Sequence, residues 1–569
     1  MEDRGSKTEV QPISEVRPLV DRASRTVTYK TTDRGSKEDP ILDRGSKINP
    51  IIDRGSKIDR GSKAVTISDR NSKTATDRGS RVLDPDLSTT ALLRRSLRGS
   101  MHSPPALGVL AVTAIAFFNV SGGPLGSEDI FAAGGPYVGL VGLAVMMVVW
   151  SIPNIFMTAE LCSAFPQDGG YTLWVNAAFG PFWGRQESYW SWTSGILEIA
   201  LYPVLIIDSC KEVWPDSVGA LPEIQLYFLK VTLSFVMSIP VFLSTEITGK
   251  ALVFFMVAVT GTFMLFVVTK IGDVDWLIMS ESKPFKKVDI TSWVIVCYWN
   301  MAGWDCVSTI SGEVKNIGRT MIRGLLFALT LGVLQYVLVL GVAAGVSPRG
   351  STVHWHTWEA GSLPNIINHS SGEWLGYWVL VVAVMANVGR FVCYLLENSF
   401  QLYGISSSGL GPKFLSWEHP TFKTPWAAVC VNLMFVFALV TFDFTDLLAV
   451  DSMLSVISSC LELLSLLKLR ESQPDLPRPF KIPIESTLVM TLCYVPTMCM
   501  GGFVLYSTFV ESTLTLYLNI GALVFGLAMG LVLEWWERRQ GEADPPEPPP
   551  EDEAFEKEWT RGEGSVPAA

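Results

Sequence analysis

Ionisable side chains lie within or next to otherwise apolar stretches of this sequence. Glu198, Asp305 and Arg390 lie deep inside such stretches, whereas Glu160 and Glu313 lie at their ends. An ionised side chain at the centre of a bilayer costs roughly 2.5–3.5 kcal/mol or more, so each is expected to have a function or a partner. We interpret Glu198 and Asp305 as anionic partners of a bound cation, and Glu160 and Glu313 first as carboxylates that fix loops.

Glu198 shares one helix face with two residues that could support a bound cation. Ser194, Glu198 and Tyr202 recur at four-residue steps, which places them on the same side of a helix. The face therefore offers a carboxylate between a hydroxyl group and an aromatic ring. The alternative is a buried pair between Glu198 and Arg390, which would neutralise both charges and offer neither to a substrate.

Two apolar stretches are interrupted by residues that break helices. The first runs into 121–124 (Ser-Gly-Gly-Pro), where two glycines and a proline remove helix propensity and one backbone donor. The second holds Asn300, Gly303 and Asp305 in its middle. Unwound backbone at membrane depth persists only where it lines a cavity or is buried in protein. The two breaks therefore predict a binding site inside the membrane.

Apolar residues make up 49% of the 569 residues, and only 17% are charged. A helix needs about 20 apolar residues to cross a hydrocarbon core of about 30 Å, and we predict an all-α integral membrane protein of about twelve transmembrane helices. The spans lie near 107–126, 136–159, 187–207, 224–243, 250–270, 291–311, 322–346, 374–396, 425–441, 445–467, 487–508 and 514–535. The breaks fall in the first and sixth spans, which is the pattern of a five-plus-five inverted repeat with a site at the repeat interface.

The membrane domain, 101–540, is flanked by two segments of different composition. Residues 1–100 repeat a unit close to Asp-Arg-Gly-Ser-Lys at irregular spacing, and 541–569 are acidic and proline-rich. Both have too few apolar residues to form a core, so we predict disordered tails; the repeats could alternatively be phosphorylation sites. Lys and Arg are concentrated in loops on one side of the spans, which predicts that both termini are cytoplasmic.

Enzymatic and metal-dependent functions find no support in the residue pattern. The five histidines lie in loops and tails, and they have no acidic or cysteine neighbours at ligand spacing. The nine cysteines lie almost entirely inside apolar spans, which argues against a disulfide framework or a disulfide-linked partner, and Cys210 near a loop does not change this. We expect no metal, no cofactor and no nucleic acid partner.

The sequence contains a series of short motifs: Ser121-Gly-Gly-Pro, Trp150-Ser-Ile-Pro153, Thr158-Ala-Glu-Leu161, Gly169-Gly170, Ala178-Phe-Gly-Pro-Phe-Trp-Gly184, Tyr202-Pro-Val-Leu205, Trp299-Asn300, Trp304-Asp305 and Gly312-Glu-Val314. Together they resemble the plant and protozoan polyamine transporters, which belong to the amino acid–polyamine–organocation superfamily and are close to the L-type amino acid transporters. The resemblance covers roughly residues 104–510. It implies the LeuT-like fold, alternating access and proton-driven uptake of polyamines across the plasma membrane.

The predicted function is thus a proton-coupled polyamine symporter whose partners are the small-molecule substrate, protons and the lipid bilayer. The predicted substrate-binding residues are Ser121, Gly122, Gly123, Glu198, Tyr202, Asn300, Gly303, Trp304 and Asp305. Trp304 is expected to be an aromatic gate, and Glu198 or Glu160 to carry the proton. Arg390 is a positive charge that these transporters usually lack. An amino acid permease or exchanger on the same fold, and a nutrient receptor that does not transport its ligand, remain alternatives.

Overall fold

The computed structural model describes residues 105–543, apart from residues 215, 289, 360, 443, 511 and 512. The predicted tails, 1–100 and 541–569, lie outside the described residues except for 541–543. Nine described helices are long and apolar enough to cross a membrane. Three shorter apolar helices among the described residues bring the number of spans to twelve: Val109–Val120, Ile290–Trp299 and Trp426–Leu439. The prediction of about twelve membrane helices is confirmed.

The first half of the membrane domain contains five spans. In chain order its helices are α1 (Val109–Val120), α2 (Glu128–Gly134), α3 (Pro136–Met146), α4 (Ile152–Ala164), α5 (Tyr171–Phe179), α6 (Pro181–Val213), α7 (Glu223–Leu243) and α8 (Thr245–Lys270). A π-helical segment, Met147–Ser151, joins α3 and α4 into one span. The short helix α5 lies between the second and third spans.

The second half repeats the arrangement and adds two further spans. Its helices are α9 (Ile290–Trp299), α10 (Ile317–Gln335), α11 (Gly341–Val346), α12 (Leu363–Ser371), α13 (Glu373–Ser407), α14 (Trp426–Leu439), α15 (Phe444–Ser472), α16 (Thr487–Val510) and α17 (Thr513–Ala543). A π-helical segment, Tyr336–Leu340, joins α10 and α11. The last helix exposes Tyr517, Phe525 and Val532, as expected of a helix that faces lipid.

The first and sixth spans are both broken, as predicted. Helix α1 ends at Val120, and Gly122 and Gly123 then have φ angles of +54° and +118°, which only glycine adopts readily. The sixth span unwinds after α9, turns at Gly303 with φ +89°, and continues in the 3₁₀ turn Cys306–Thr309. Helical hydrogen bonding is therefore interrupted in corresponding spans of the two halves.

Hydrogen bonds tie several spans together at one face of the protein. We call it the terminal face, and it holds residues 105–107, 160–170, 310–315 and 470–484. The backbone N–H groups of Ala106 and Leu107 each donate to the Glu313 carbonyl oxygen at 2.9 Å, and Lys315 donates back to Leu107 at 2.9 Å. The N–H of Gly312 donates to Asp168 Oδ1 at 3.0 Å. These bonds hold the start of the first span against the end of the sixth.

Glu160 joins the second span to the segment that follows α15 on the terminal face. Its carboxylate is fully buried and accepts from Arg470 Nε at 2.7 Å, from Arg470 Nη2, and from the Ile482 N–H at 2.8 Å. Arg478 Nε lies 3.2 Å from Glu160 Oε1. Glu160 therefore compensates two arginines and fixes the 470–484 segment, which is the loop-fixing role expected of a carboxylate at a helix end.

The opposite face, which we call the loop face, holds residues 271–287 and 347–372. Arg349 donates to Asp275 Oδ2 and to Glu281 Oε1, both at 2.8 Å, and Trp355 Nε1 donates to Glu281 Oε2 at 2.8 Å. Burial would raise the pKa of Glu281, but these two donors outweigh it and hold the pKa below its usual value. The contacts join the loop after the fifth span to the loop after the seventh.

Replacing Glu160 with Gln should destabilise the protein. The change leaves Arg470 and Arg478 without their shared counter-charge, and breaking a buried pair costs on the order of 3 kcal/mol. The measurement is the melting temperature of the detergent-purified protein. Glu246→Gln is the matched control, because it breaks an ion pair with Lys250 whose side chains are 59% and 75% exposed, and it should leave the melting temperature almost unchanged. Equal shifts for the two variants would contradict the assignment of Glu160.

Alanine substitutions at two glycines should change stability in opposite directions. Gly122→Ala forces a side chain into a left-handed conformation and places its Cβ 2.2 Å from Arg390 Nε, so we expect the melting temperature to fall. Gly261 lies inside α8 with open space around its Cβ position, so Gly261→Ala should stabilise by up to about 1 kcal/mol. A neutral result at Gly122 would show that the break does not need glycine.

Candidate substrate site

A small cavity of about 50 Å³ lies between α6, the sixth span, α13 and α15. We call it the carboxylate cavity, because Glu198, Asp305, Glu397 and Asp451 all line it. Each of the four is at most 7% exposed. None of the described residues that line this cavity is Lys, Arg or His. The cavity is therefore anionic, and a small cation is the ligand that its lining fits.

Glu198 and Asp451 form the first pair of carboxylates. The Tyr202 hydroxyl donates to Glu198 Oε1, and Trp299 Nε1 donates to Glu198 Oε2 at 3.4 Å. The Ser194 hydroxyl donates to Asp451 Oδ1 at 2.5 Å, and the two carboxyl groups are within hydrogen-bonding reach of each other. The predicted face of Ser194, Glu198 and Tyr202 thus points as one unit toward Asp451.

Glu187 and Glu462 form a second pair from the same two helices, closer to the terminal face. The Ser458 hydroxyl donates to Glu187 and lies 3.3 Å from Glu462 Oε1. Both carboxylates are fully buried, and the second oxygen of each has no hydrogen-bond partner. Residues 187 and 198 on α6, like 451 and 462 on α15, are eleven positions apart, which is about 16 Å along a helix.

Asp305 and Glu397 also line the cavity and connect it to the two breaks. Asp305 follows the turn at Gly303, accepts from Ser459 Oγ at 3.0 Å and contacts Glu462. Glu397 accepts from Asn119 Nδ2 at 2.9 Å, on the last turn of α1. The anionic lining therefore consists of more than the predicted Glu198 and Asp305.

The structure brings only part of the predicted site to the cavity. Glu198, Gly303 and Asp305 line it, and Tyr202 contacts it through Glu198. Asn300 instead donates to the carbonyl oxygens of Val296 at 2.9 Å and Gly126 at 3.3 Å, which ties the sixth span to the first break.

Trp304 is not among the lining residues of the carboxylate cavity. It is 2% exposed, and its Nε1 donates to the Met301 carbonyl oxygen at 2.8 Å. The aromatic ring in the predicted position belongs to Trp299, which lines the cavity on one side and a second, larger cavity on the other. The gate stays a prediction, and of the two rings only Trp299 lines both of these cavities.

The larger cavity, which we call the vestibule, has a volume of about 430 Å³. It extends from Trp299 and Arg390 to exposed residues of the loop face, among them Gly361 and Asn365. The predicted Ser121–Gly123 break contacts its floor, because Arg390 Nη2 donates to the Ser121 carbonyl oxygen. The unwound backbone of the first break thus contacts Arg390 and does not line the carboxylate cavity.

Glu160, the second predicted proton carrier, lies on the terminal face with Arg470 and Arg478 and does not line either cavity. Four carboxylates were missed in the sequence: Glu187, Glu397, Asp451 and Glu462. A search for every ionisable residue inside the predicted spans would have found Glu187, Asp451 and Glu462, and Glu397 directly follows the eighth span. All nine cysteines are free, and the described residues contain no group of three or more His, Cys, Asp or Glu side chains placed to bind a metal ion.

Comparison with known proteins identifies the kind of protein that carries this site. The chain is 31% identical to the polyamine transporter RMV1 of Arabidopsis thaliana over 76% of this chain and 86% of the relative. It is 30% identical to the polyamine transporter PUT1 of Oryza sativa subsp. japonica over 77% of this chain and 80% of the relative. A more distant match is the branched-chain amino acid permease BcaP of Bacillus subtilis (strain 168), 26% identical over 34% of this chain and 42% of the relative.

These relatives are transporters and not enzymes, and the first two match across most of their own length. A family model described as amino acid permease matches residues 107–525, from the first span to the last. This range includes both breaks, both cavities and every residue of the carboxylate cavity. The chain therefore belongs to the amino acid permease family of membrane transporters.

Proposed function

We propose that this permease takes up polyamines by alternating access. The proposal rests on two pairs of carboxylates, Glu198–Asp451 and Glu187–Glu462. The two pairs lie about 16 Å from each other along the same two helices. A linear polyamine carries ammonium groups at both ends of a flexible methylene chain. The first pair would bind one ammonium group, and Asp305, Glu397 and the second pair would receive the others along the path.

The aromatic residues of the cavity suit the remainder of such a substrate. Tyr298, Trp299 and Tyr394 line the space between the carboxylates, and their rings can contact methylene groups and ammonium groups alike. The names of the two plant relatives, both polyamine transporters, support the same substrate class. A single buried carboxylate, by contrast, would need only a monocation.

The two faces support alternating access because, among the described residues, they differ: the vestibule opens toward the loop face. The vestibule reaches from the carboxylate cavity to the loop face, whereas the terminal face is held by backbone bonds between Leu107, Glu313 and Lys315. Inward release would require those bonds to break. We propose that the loop face is extracellular in the plasma membrane and that both termini are cytoplasmic, because Arg470, Arg478 and Lys315 lie on the terminal face.

We propose proton symport with Glu198 as the proton carrier. Glu198 lies against Asp451 away from bulk water, and two carboxyl groups in contact cannot both ionise easily. The pair would therefore hold a proton that can load from the vestibule together with the substrate. Glu160 is a weaker candidate, because its carboxylate already compensates Arg470 and Arg478.

An amino acid permease is the second candidate function, and Arg390 is the observation that favours it. Its guanidinium group lies at the first break, where the carboxylate of an amino acid could bind to it while the ammonium group approached Glu198. The more distant relative named as a branched-chain amino acid permease agrees with this alternative. The alternative leaves Glu187, Asp305 and Glu462 without a positively charged group of the substrate.

Uptake measurements in cells that express the chain test the proposal. We expect saturable uptake of labelled putrescine and spermidine, weak uptake of arginine, and at least a tenfold loss of polyamine uptake in Glu198→Gln, because one hydrogen-bonded charge pair is worth about 1.5–3 kcal/mol. Glu246→Gln, in the exposed pair with Lys250, is the control with unchanged uptake. Asp451→Asn should impair uptake as Glu198→Gln does.

An imposed pH gradient separates the substrate from the coupling. Uptake into membrane vesicles should be stimulated when the loop face is acidic, and Glu198→Gln should abolish that stimulation. Stimulation by the reverse gradient would overturn symport but leave the substrate unchanged. Arginine uptake without polyamine uptake would favour the amino acid permease, and ligand binding without accumulation in any vesicle would favour a receptor.

A further inference from the structure

Arg390 lies on the path between the vestibule and the carboxylate cavity. It lines the vestibule and is 5% exposed. Its guanidinium carbon lies 5.3 Å from the centre of the Trp299 ring and 6.0 Å from the centre of the Tyr202 ring, and its Nη2 donates to the Ser121 carbonyl oxygen. A substrate that enters from the loop face therefore meets this positive charge before it reaches Glu198.

The groups that hold Arg390 are those that would hold an ammonium group. We call the Trp299 ring, the Tyr202 ring and the Ser121 carbonyl oxygen the cation seat. Aromatic faces attract cations, and a backbone carbonyl freed from helical bonding accepts a hydrogen bond from one. The polar ends of both rings donate to Glu198, so the cation seat and the first carboxylate pair are joined by the same two side chains.

The partners of Arg390 in the described part of the chain are neutral. It forms no ion pair there, in contrast to Arg470, which is held by Glu160. Glu198 is close enough to interact with Arg390 electrostatically, but its oxygens are occupied by Tyr202 and Trp299. The buried Glu198–Arg390 pair considered above is therefore not formed. Moving Arg390 away therefore breaks no hydrogen-bonded ion pair, whereas moving Arg470 would break its contact with Glu160.

The first break is fitted to this arginine. A Cβ atom at Gly122 would lie 2.2 Å from Arg390 Nε and 3.0 Å from its Cδ and Cγ, so the arginine uses the space that the missing side chain leaves. On its other side the vestibule offers about 430 Å³, which is enough for a displaced arginine side chain. Arg390 thus has one tightly fitted position and room for a second.

We propose that Arg390 is a tethered cation that closes the carboxylate cavity from the vestibule until a substrate ammonium group replaces it in the cation seat. The arriving ammonium group contacts Trp299, Tyr202 and the Ser121 carbonyl oxygen, and Arg390 moves into the vestibule. Arg390 then competes with the substrate for one seat and sets its affinity. The inference rests on the proposed function for its substrate class, but the closure itself does not depend on which cation is transported.

Accessibility of Cys306 reports on the closure directly. Cys306 lines the carboxylate cavity, so a membrane-impermeant, positively charged methanethiosulfonate must pass the cation seat to reach it. The background is Cys210→Ser, because Cys210 is a half-buried thiol at the end of α6. Adding Cys306→Ser to this background shows how much of the labelling comes from Cys306. We expect Arg390→Gln, which removes the charge but keeps a polar side chain, to react about tenfold faster, and Arg390→Lys to react at nearly the wild-type rate.

Transport kinetics give the second readout. Arg390→Gln should lower the KM for putrescine roughly fivefold, because the internal competitor is lost, whereas Arg390→Lys should not. In Arg390→Ala, added guanidinium ion should slow the labelling of Cys306 again, and sodium ion at the same concentration should not. This rescue shows a cation seat even if the Gln variant is poorly folded.

Three results would overturn the proposal. They are unchanged or slower Cys306 labelling in Arg390→Gln, equal effects of Gln and Lys, and no rescue by guanidinium ion. A higher KM for arginine in Arg390→Gln with unchanged labelling would instead make Arg390 a ligand for the carboxylate of an amino acid. The labelling measurement requires no substrate, so failure of the polyamine assignment alone would appear as absent polyamine uptake together with faster labelling in Arg390→Gln.

Discussion

The rest of the structure depends on one constraint. Several carboxylates are buried around one cavity, and the residues that line this cavity include no positively charged side chain. Such a group of charges is unfavourable at membrane depth unless protons or a cationic ligand neutralise it. The hydroxyl groups of Ser194, Ser458 and Ser459 stabilise individual oxygens by donating to them, but a hydroxyl group removes no charge. The cavity therefore needs either bound protons or a positively charged ligand, and the proposed transport of cations uses this requirement.

The broken helices give this occupant a path. Tyr336 holds the two breaks together, because its hydroxyl group lies 3.2 Å from the Val120 carbonyl oxygen and 3.0 Å from that of Asn300. The breaks turn backbone carbonyl groups away from helical bonds, and one of them, on Ser121, points at the floor of the vestibule. Trp299 separates the vestibule from the carboxylate cavity at that point. A path with one aromatic partition and one tied face is closed at two places, which is what the proposed alternating access requires.

The fold was predictable from the sequence because span length and helix-breaking residues are local features. The face of Ser194, Glu198 and Tyr202 was predictable for the same reason, since four-residue steps fix a helix face. The choice between Trp299 and Trp304 was not, because the left-handed turn at Gly303 between them decides which ring reaches the cavity. The pairing of Glu160 was not predictable either, because it depends on the segment after α15 folding back across some three hundred residues of sequence.

The balance between Arg390 and the carboxylates decides which substrates fit. A polyamine and an amino acid both carry an ammonium group, and they differ in what lies at the other end. An amino acid must place its carboxylate away from Asp305 and Glu397, which would repel it, and therefore toward Arg390 on the vestibule side of Trp299. So short a ligand leaves the deeper carboxylates without a cation. A polyamine carries a further ammonium group toward the deeper carboxylates, so the length of the substrate contributes to selection together with its charge.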